Sequence, residues 1–300
     1  MVVVEVLDEG LSGRGECVPY TRYGESVESV VALLERSFAG LAATEARDRV
    51  DAMPAGAARN AFDCAVWDLE AKRAGKPVWA LAALPSAPGP TETMRTVSVG
   101  SVDEMKRAAT RFGSALTIKV KVDGDDDLAR ISAVHAAAPS AALIVDANEA
   151  WSVEQTAAWL PKLPALGVVV LEQPLPAAED AALEELEHAV PICADESFHD
   201  RASFTDIERR YDMINVKLDK TGGLTEALAC VEEAKRRRMP FMVGCMVSTS
   251  LAIEPALLLA VDAAYVDLDG PLLLENDRPG ALHDRDAGLL CHSPSIWGGA

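Results

Sequence analysis

Short apolar runs alternate with helical patterns over most of the chain, and this alternation predicts the fold. From Arg95 onward the amphipathic stretches include VDEMKRAATRF, DLARISAVHAAA, SVEQTAAWLPKL and LTEALACVEEAKRRR. The apolar runs are TVSVG, LTIKVKV, LIVDAN, GVVVLEQP, PICADES, MINVKLD, PFMVGCM and AYVDLDG. Runs of this kind are typical of parallel strands that helices cover on both faces. Eight strand–helix units in series therefore predict an α/β fold of the TIM-barrel type.

A doubly wound open sheet shows the same alternation of strands and helices and is the structural alternative. That fold commonly carries a GxGxxG sequence after its first strand, where it binds a dinucleotide. Since no such sequence follows the first run here, the barrel is favoured.

The residues before Arg95 have a different pattern. VVVEVL, the turn DEG and the returning LSGRGECV predict a β-hairpin. Two helical stretches follow, SVESVVALLERSFAGLA and ARNAFDCAVWDLEAKRAG, and the turn-rich LPSAPGPTETM at 84–94 indicates a domain boundary. We expect a capping domain over residues 1–94, a barrel domain over residues 95–275 and a C-terminal segment over residues 276–300 that returns to the cap.

The composition is that of an ordinary globular protein, with 49% hydrophobic and 25% charged residues. No apolar run reaches the roughly 18 residues of a membrane span, and the N-terminus lacks the basic start of a secretory signal. We therefore expect a cytoplasmic protein. The six cysteines are scattered without a CxxC pair, which argues against a zinc site and a disulfide scaffold.

The formal net charge is −19, from 47 acidic and 28 basic residues. Such a field repels nucleic acids and anionic membranes, so neither is an expected partner. An anionic substrate stays compatible with this charge, because a bound cation can reverse the local sign.

Ionisable residues stand at the ends of the otherwise apolar runs. They are Lys119 and Lys121 in the second run, Asp146 in the third, Glu172 in the fourth, Asp195 and Glu196 in the fifth, Lys217 in the sixth, and Asp267 and Asp269 in the eighth. A single charge at a strand end is usually a solvated loop residue. In a barrel, however, the C-terminal ends of all strands meet at one face, where active sites are built. The series therefore predicts an active site at that face.

Three of these residues, Asp146, Glu172 and Asp195, belong to consecutive strands and predict a metal site. Three carboxylates held together repel one another unless a cation neutralises them, and hard oxygen ligands suit Mg²⁺. No histidine lies near these strand ends, which argues against zinc or iron. A set of ion pairs with the nearby lysines is the alternative.

Lys121 and Lys217 come from the second and sixth strands, on opposite sides of the predicted barrel. Two lysines that face each other across a metal-bound carboxylate can remove an α-proton from one face and return a proton to the other. The metal stabilises the enediolate formed in between. A base must be partly neutral, and the charge of Lys119, two residues before Lys121, favours that state.

The motifs TIKVKV, VDANEAW, LEQPLP, CADES and INVKLDKTGG, in this order and spacing, resemble the enolase superfamily in its muconate-lactonizing branch. The resemblance covers nearly the whole chain. It implies a modified (β/α)7β barrel with an α+β capping domain. It also implies Mg²⁺ ligands at Asp146, Glu172 and Asp195, acid/base lysines at Lys121 and Lys217, and a supporting lysine at Lys119. Second-shell roles are implied for Asn148 and Glu196.

Two further segments resemble the dipeptide epimerases of that branch. VDLDGP, with Asp267 and Asp269, is similar to the Asp-x-Asp that binds the free ammonium group of a dipeptide. GCMVSTS, with Cys245 and Met246, is similar to a segment that lines the substrate near its peptide bond. The resemblance also places Thr96, in the first barrel strand, beside the substrate. The alternative interpretation is that Asp267 and Asp269 are ordinary acidic residues of a loop.

The chain departs from that group at its start. Its members begin with a further strand and a loop that closes over the substrate, whereas VVVEVL resembles their second strand. We expect that the start is misassigned or that the segment is absent.

The resemblance implies an isomerase that moves the α-proton of the C-terminal residue of a small dipeptide such as Ala-Glu. A cycloisomerase, or a lyase like o-succinylbenzoate synthase, is the alternative within the superfamily, but such substrates carry no ammonium group for Asp267 and Asp269. A third hypothesis is a truncated homologue without activity. The oligomeric state stays open, a homo-oligomer included.

Overall fold

A computed structural model describes residues 1–40, 45–113, 115–284 and 288–299. The last two residues of the helix predicted at 26–42, and parts of the predicted C-terminal segment at 285–287 and 300, lie outside the described residues. The chain forms two compact units. One comprises Met1–Glu92, Val216–Ala234 and Val243–Ala300, and the other comprises Thr93–Asn215 and Lys235–Met242. The predicted division at residues 94 and 275 stays a prediction.

The predicted N-terminal hairpin is confirmed. Strand β1 (Val2–Asp8) pairs antiparallel with β2 (Leu11–Cys17). The two residues between them, Glu9 and Gly10, both have positive φ angles of 48° and 84°, as tight hairpin turns require.

Four helices follow the hairpin: α1 (Val27–Phe38), α2 (Ala46–Asp51), α3 (Ala57–Ala74) and α4 (Val78–Leu81). Helix α1 begins with a capping box between Ser26 and Ser29, which satisfies two of its free N–H groups. The hairpin and the first three helices bury a common apolar cluster that includes Val4, Leu34 and Phe62.

Strand β2 lies almost in backbone contact with α3. A Cβ atom at Gly13 would come within 2.1 Å of the Ala65 carbonyl oxygen, and one at Gly15 would come within 2.1 Å of the Ala61 carbonyl oxygen. Only glycine allows this approach, so GRG in the sequence is a packing feature of the cap.

All eight predicted barrel strands are confirmed. After a short strand β3 (Thr91–Glu92), they are β4 (Arg95–Val97), β5 (Thr117–Lys121), β6 (Ala142–Asp146), β7 (Val168–Glu172), β8 (Ile192–Ala194), β9 (Met213–Lys217), β10 (Phe241–Gly244) and β11 (Tyr265–Asp267). They lie side by side in chain order in one sheet. Each neighbouring pair from β4 to β9 is parallel. A doubly wound sheet reverses its strand order, so that alternative is wrong.

Seven helices connect or follow the barrel strands: α5 (Val102–Arg111), α6 (Asp127–Ala137), α7 (Val153–Trp159), α8 (Phe204–Arg210), α9 (Leu218–Thr221), α10 (Leu224–Arg237) and α11 (Ser250–Ala260). Between β7 and β8 a 3₁₀ turn over Asp180–Glu185 takes the place of an α-helix. The confirmed fold is thus a TIM-type barrel with a capping domain. No helix among the described residues has the length and apolarity needed to cross a bilayer.

The C-terminal residues return to the N-terminal elements. Strands β12 (His283–Asp284) and β13 (Leu289–Leu290) form a three-stranded sheet with β3. The indole of Trp297 donates to the carbonyl oxygen of Cys64 at 2.9 Å, and the N–H of Gly298 donates to Asp68 at 2.9 Å.

Candidate active site

Strand register brings the predicted metal ligands together. Lys121 lies beside Asp146 in the β5–β6 pair, and Asp146 lies beside Glu172 in the β6–β7 pair. Glu172 is paired with Cys193, so Asp195 follows two residues beyond. One carboxylate oxygen from each of Asp146, Glu172 and Asp195 lies within 4.8 Å of the others, and all three side chains are buried.

Two lysines compensate part of this negative charge. The Nζ atom of Lys119 lies 2.9 Å from Asp146 Oδ2 and 2.8 Å from Glu172 Oε2. The Nζ atom of Lys121 lies 2.6 Å from Asp146 Oδ2 and 2.7 Å from Asn148 Oδ1. Burial alone would raise the pKa of Asp146, but the charges of Lys119 and Lys121 outweigh it and lower that pKa well below its ordinary value.

The ion pairs that the sequence left as an alternative are therefore present, and the donor set still fits a divalent cation. The three carboxylates offer oxygen atoms that meet at one point and lie buried. Three oxygen donors on adjacent rigid strands meet the preference of Mg²⁺ for hard ligands. The clustered donors therefore favour a bound cation.

Two asparagines, one through its side chain and one through its backbone N–H, hold two of the acids in place. Asn215, on β9, donates to Glu172 Oε1 at 2.8 Å, a contact that no motif in the sequence indicated. The N–H of Asn148 donates to Asp146 Oδ1 at 2.9 Å, and its side-chain amide donates to Glu196 Oε1 at 3.2 Å. The predicted second-shell pair, Asn148 and Glu196, is thus joined by a hydrogen bond. Asn215 lies two residues before Lys217, a spacing that places both on one face of β9.

Of the other predicted residues, all but Thr96 lie in the unit that contains the cap. Lys217 ends β9 and is buried, and Asp267 and Asp269, at the end of β11, are buried to the same extent. Burial raises the pKa of the Cys245 thiol above its ordinary value. The charges of Asp267 and Asp269 raise it further, and that of Lys217 lowers it. These groups therefore lie within electrostatic range of one another, and Cys245 stays a neutral thiol.

A glycine allows the segments after β10 and β11 to approach each other. A Cβ atom at Gly270 would lie 2.6 Å from the Met246 carbonyl oxygen and 3.1 Å from Cys245 Sγ. Since real side chains do not tolerate the shorter distance, the glycine of VDLDGP is a requirement of this packing.

The segment after β10 is also tied to the hairpin and to the C-terminal residues. Glu16, a buried residue of β2, accepts hydrogen bonds from Thr249 N at 2.9 Å and from Thr249 Oγ1 at 2.6 Å. The guanidinium of Arg278 lies 2.6 Å from the same carboxylate. No sequence pattern indicated a role for Glu16, because its partners lie far away along the chain.

Thr96 lies on β4 and lines a cavity of about 380 Å³ with residues of α5, among them Met105, Arg111 and Phe112. None of the other predicted site residues lines this cavity. The prediction that Thr96 contacts the substrate stays a prediction.

Comparison with known families matches both parts of the chain. Residues 1–82 match the family described as mandelate racemase/muconate lactonizing enzyme, N-terminal domain, and residues 101–286 match the enolase C-terminal domain-like family. The chain belongs to the mandelate racemase/muconate lactonizing enzyme family. The predicted resemblance to the enolase superfamily is confirmed.

Two curated members of this family are similar over nearly the whole chain. The L-Ala-D/L-Glu epimerase of Escherichia coli K12 is 47% identical over 94% of this chain and 88% of its own length. The N-acetyl-D-glutamate racemase of a Pseudoalteromonas species is 41% identical over 100% of this chain and 96% of its own length. Both relatives are isomerases that act on amino acid derivatives, which supports the predicted enzyme class.

Solved structures of the family have the same fold. A family member from Agrobacterium tumefaciens with homology to dipeptide epimerases, solved with bound sodium and L-Ala-L-Glu, is 45% identical, with a TM-score of 0.93 over 99% of this chain and 91% of that one. A dipeptide epimerase from Enterococcus faecalis, complexed with Mg and L-Leu-L-Tyr, is 26% identical, with a TM-score of 0.89 over 97% of this chain and 88% of that one.

Proposed function

We propose that this protein is a Mg²⁺-dependent epimerase of small dipeptides, with an Ala-Glu-like substrate. In this reaction the α-proton of the C-terminal residue leaves from one face and a proton returns to the other. The observation that carries the proposal is the buried cluster of Asp146, Glu172 and Asp195 with lysines in adjacent strand register.

The three acids are the proposed ligands of the metal. When bound, a divalent cation supplies a Lewis acid that stabilises the negative charge developing on the substrate carboxylate. Lys119, paired with both Asp146 and Glu172, orients these two carboxylates. Asn215 fixes the remaining oxygen of Glu172.

Lys121 and Lys217 are the proposed acid/base pair. Each lies at the carboxyl end of its barrel strand, where active sites of this architecture are built. In one direction Lys121 removes the α-proton and Lys217 delivers a proton to the opposite face, and in the other direction the roles are exchanged. The amide of Asn148 orients the Lys121 ammonium through its Oδ1 atom.

Asp267 and Asp269 are proposed to recognise the free ammonium group of the dipeptide. Both acids are buried at one strand end, and a pair of carboxylates offers the charge-assisted hydrogen bonds that an ammonium group makes. A dipeptide offers this ammonium group at the residue next to the reacting one.

A second candidate is racemisation of an N-acylated amino acid, since the N-acetyl-D-glutamate racemase of a Pseudoalteromonas species is similar over the whole chain. An N-acetyl group removes the positive charge from the nitrogen, so this substrate would leave Asp267 and Asp269 without their proposed partner.

Chiral chromatography of products from L-Ala-L-Glu and from N-acetyl-L-glutamate separates the two candidates. We expect the protein to epimerise the dipeptide and Asp269→Asn to lower that activity by about 10- to 100-fold, the effect of losing a hydrogen bond to a charged group. Turnover of N-acetyl-L-glutamate alone, or full dipeptide activity in Asp269→Asn, would overturn the proposed substrate.

A further inference from the structure

The residue after Glu172 has an unusual backbone conformation. Gln173 is fully buried and has a φ angle of 35°, in the left-handed region that non-glycine residues rarely adopt. Asn148 and Glu149, which follow Asp146, also have positive φ angles of 42° and 67°. Such strain persists only where surrounding contacts enforce it, and it often marks functional sites.

The side chain of Gln173 holds the backbone that carries Asp195. Its Oε1 atom accepts a hydrogen bond from the N–H of Asp195 at 2.9 Å and another from the N–H of Ser197 at 3.1 Å. One amide oxygen therefore fixes the path of the chain at the third acid and two residues beyond it.

The backbone of the same residue joins the neighbouring strand ends. The N–H of Gln173 donates to the Cys193 carbonyl at 2.9 Å, and its own carbonyl accepts from the N–H of Glu149 at 2.9 Å. The next carbonyl, that of Pro174, accepts from the N–H of Trp151 at 3.0 Å. The chain at the carboxyl ends of β6, β7 and β8, where the three acids lie, is thus tied together at Gln173.

The orientation of the Gln173 amide follows from a directed chain of hydrogen bonds. Arg210 lies 2.8 Å from Asp180 Oδ1, and the phenol of Tyr211 donates to Asp180 Oδ2 at 3.0 Å. Burial raises the pKa of Tyr211, so the phenol keeps its proton. Because that single proton is used, the phenol oxygen can only accept from Gln173 Nε2, at 2.8 Å. The amide oxygen must then face Asp195.

The remaining contacts agree with this orientation. Gln173 Nε2 also lies 2.9 Å from the Leu175 carbonyl and 2.9 Å from Ser197 Oγ. The carbonyl oxygen can only accept, so the NH₂ end of the amide has to be on this side.

We propose that Gln173 is the positioning residue of the metal site, which holds Asp195 in register with Asp146 and Glu172 and thereby sets the affinity for Mg²⁺. The inference rests on the proposed function, because it concerns the metal that this function requires. Partners that orient metal ligands typically contribute about 10- to 100-fold to metal affinity.

The test is isothermal titration calorimetry of metal-free protein with MgCl₂ alone, well below the unfolding temperature of each variant. Gln173→Met keeps the length of the side chain and removes both the acceptor and the donor. Tyr211→Phe removes only the oxygen that orients the amide. Thr156→Val is the matched control, because Thr156 is also fully buried in the same unit and donates only to the Ser152 carbonyl at the start of α7.

We expect the dissociation constant for Mg²⁺ to rise by about 10- to 100-fold in Gln173→Met, to rise less in Tyr211→Phe, and to stay unchanged in Thr156→Val. A wild-type dissociation constant in Gln173→Met would overturn the inference, and if that variant does not fold, a wild-type constant in Tyr211→Phe would do so. Absence of Mg²⁺ binding by the wild-type protein would instead overturn the proposed metal-dependent function.

Discussion

The candidate site residues on β5 to β8, the metal half, and those after β9, β10 and β11, the recognition half, are built in different ways. The acids and lysines on β5 to β8 are compensated by one another and by amides from adjacent strands. The residues after β9, β10 and β11 depend instead on distant parts of the chain. Glu16 and Thr249, which hold the segment after β10, are 233 residues apart in sequence.

This difference separates the proposed metal ligands from the residues proposed for substrate recognition. The metal half is fixed by strand register, and register cannot shift by one residue without moving every side chain to the other face. The segments of the recognition half are held by Glu16, Gly270 and Arg278. We therefore expect changes in the first half to act on metal affinity and proton transfer, and changes in the second half to act on substrate binding.

Loss of either proposed base is the largest expected effect. Lys121→Ala and Lys217→Ala should each lower epimerisation by about 100- to 10,000-fold, because each removes the acid/base group of one face. One of the two variants should still exchange the α-proton of a single diastereomer with D₂O. Lys162→Ala, at an exposed lysine, is the control. Normal epimerisation by both single variants would contradict the two-base assignment.

Removing the buried lysine of the metal half tests the charge compensation. Lys119→Met leaves Asp146 and Glu172 without a shared cation, so the metal-free protein should lose about 3–5 kcal/mol of unfolding free energy. Added Mg²⁺ should recover part of that loss. Thermal unfolding with and without Mg²⁺ measures both effects, and an unchanged unfolding temperature would show that the pairs are not needed.

The two halves should respond to pH with opposite signs. Burial raises the pKa of Asp219, which follows β9, to about 7, although Asn60 and the N–H of Val18 donate to it. The folded state then binds more protons than the unfolded state between about pH 4 and 7, so this group lowers stability as pH rises through that window. The lowered pKa of Asp146 acts the other way, and its contribution is lost as pH falls below about 4.

Asp219→Asn should therefore remove the decline of stability between about pH 4 and 7. The pKa of Asp219 is raised by about three units, which sets an upper limit of about 4 kcal/mol on the gain in unfolding free energy at neutral pH. Denaturant unfolding at a series of pH values measures it, with Asp206→Asn, at an exposed acid, as control. The same slope in Asp219→Asn and wild type would rule out this assignment.

The smallest expected effect belongs to Glu16. Glu16→Gln keeps the shape of the side chain but weakens the contacts to Thr249 and Arg278. We expect a loss of about 1–3 kcal/mol in stability and a higher KM, with unchanged Mg²⁺ affinity in calorimetry. Weakened metal binding would contradict the separation of the two halves.

The sequence predicted the barrel because its strands are apolar on both faces and end in charges at regular intervals. It predicted Asp146, Glu172 and Asp195 for the same reason, since register follows from the strand pattern. It could not predict Asn215 or Gln173 as partners of the acids, because an amide in a strand has no distinctive pattern. An amide directly after a proposed ligand, as in LEQP, was the available signal for Gln173.

Long-range contacts account for the rest. The guanidinium of Arg14 donates to the carbonyl of Ile296 at 2.8 Å, and the N–H of Arg14 donates to Asp68 at 2.9 Å. These partners come together only through the return of the C-terminal residues, which no local pattern encodes. The short sheet of β3, β12 and β13 was not predicted for the same reason.

The most direct test of the proposed epimerisation is ¹H NMR of L-Ala-L-Glu in D₂O with the protein and Mg²⁺. We predict loss of the glutamate α-proton signal together with the appearance of the L,D diastereomer. An α-proton signal that stays unchanged, while calorimetry shows Mg²⁺ bound, would contradict the proposed reaction on this substrate.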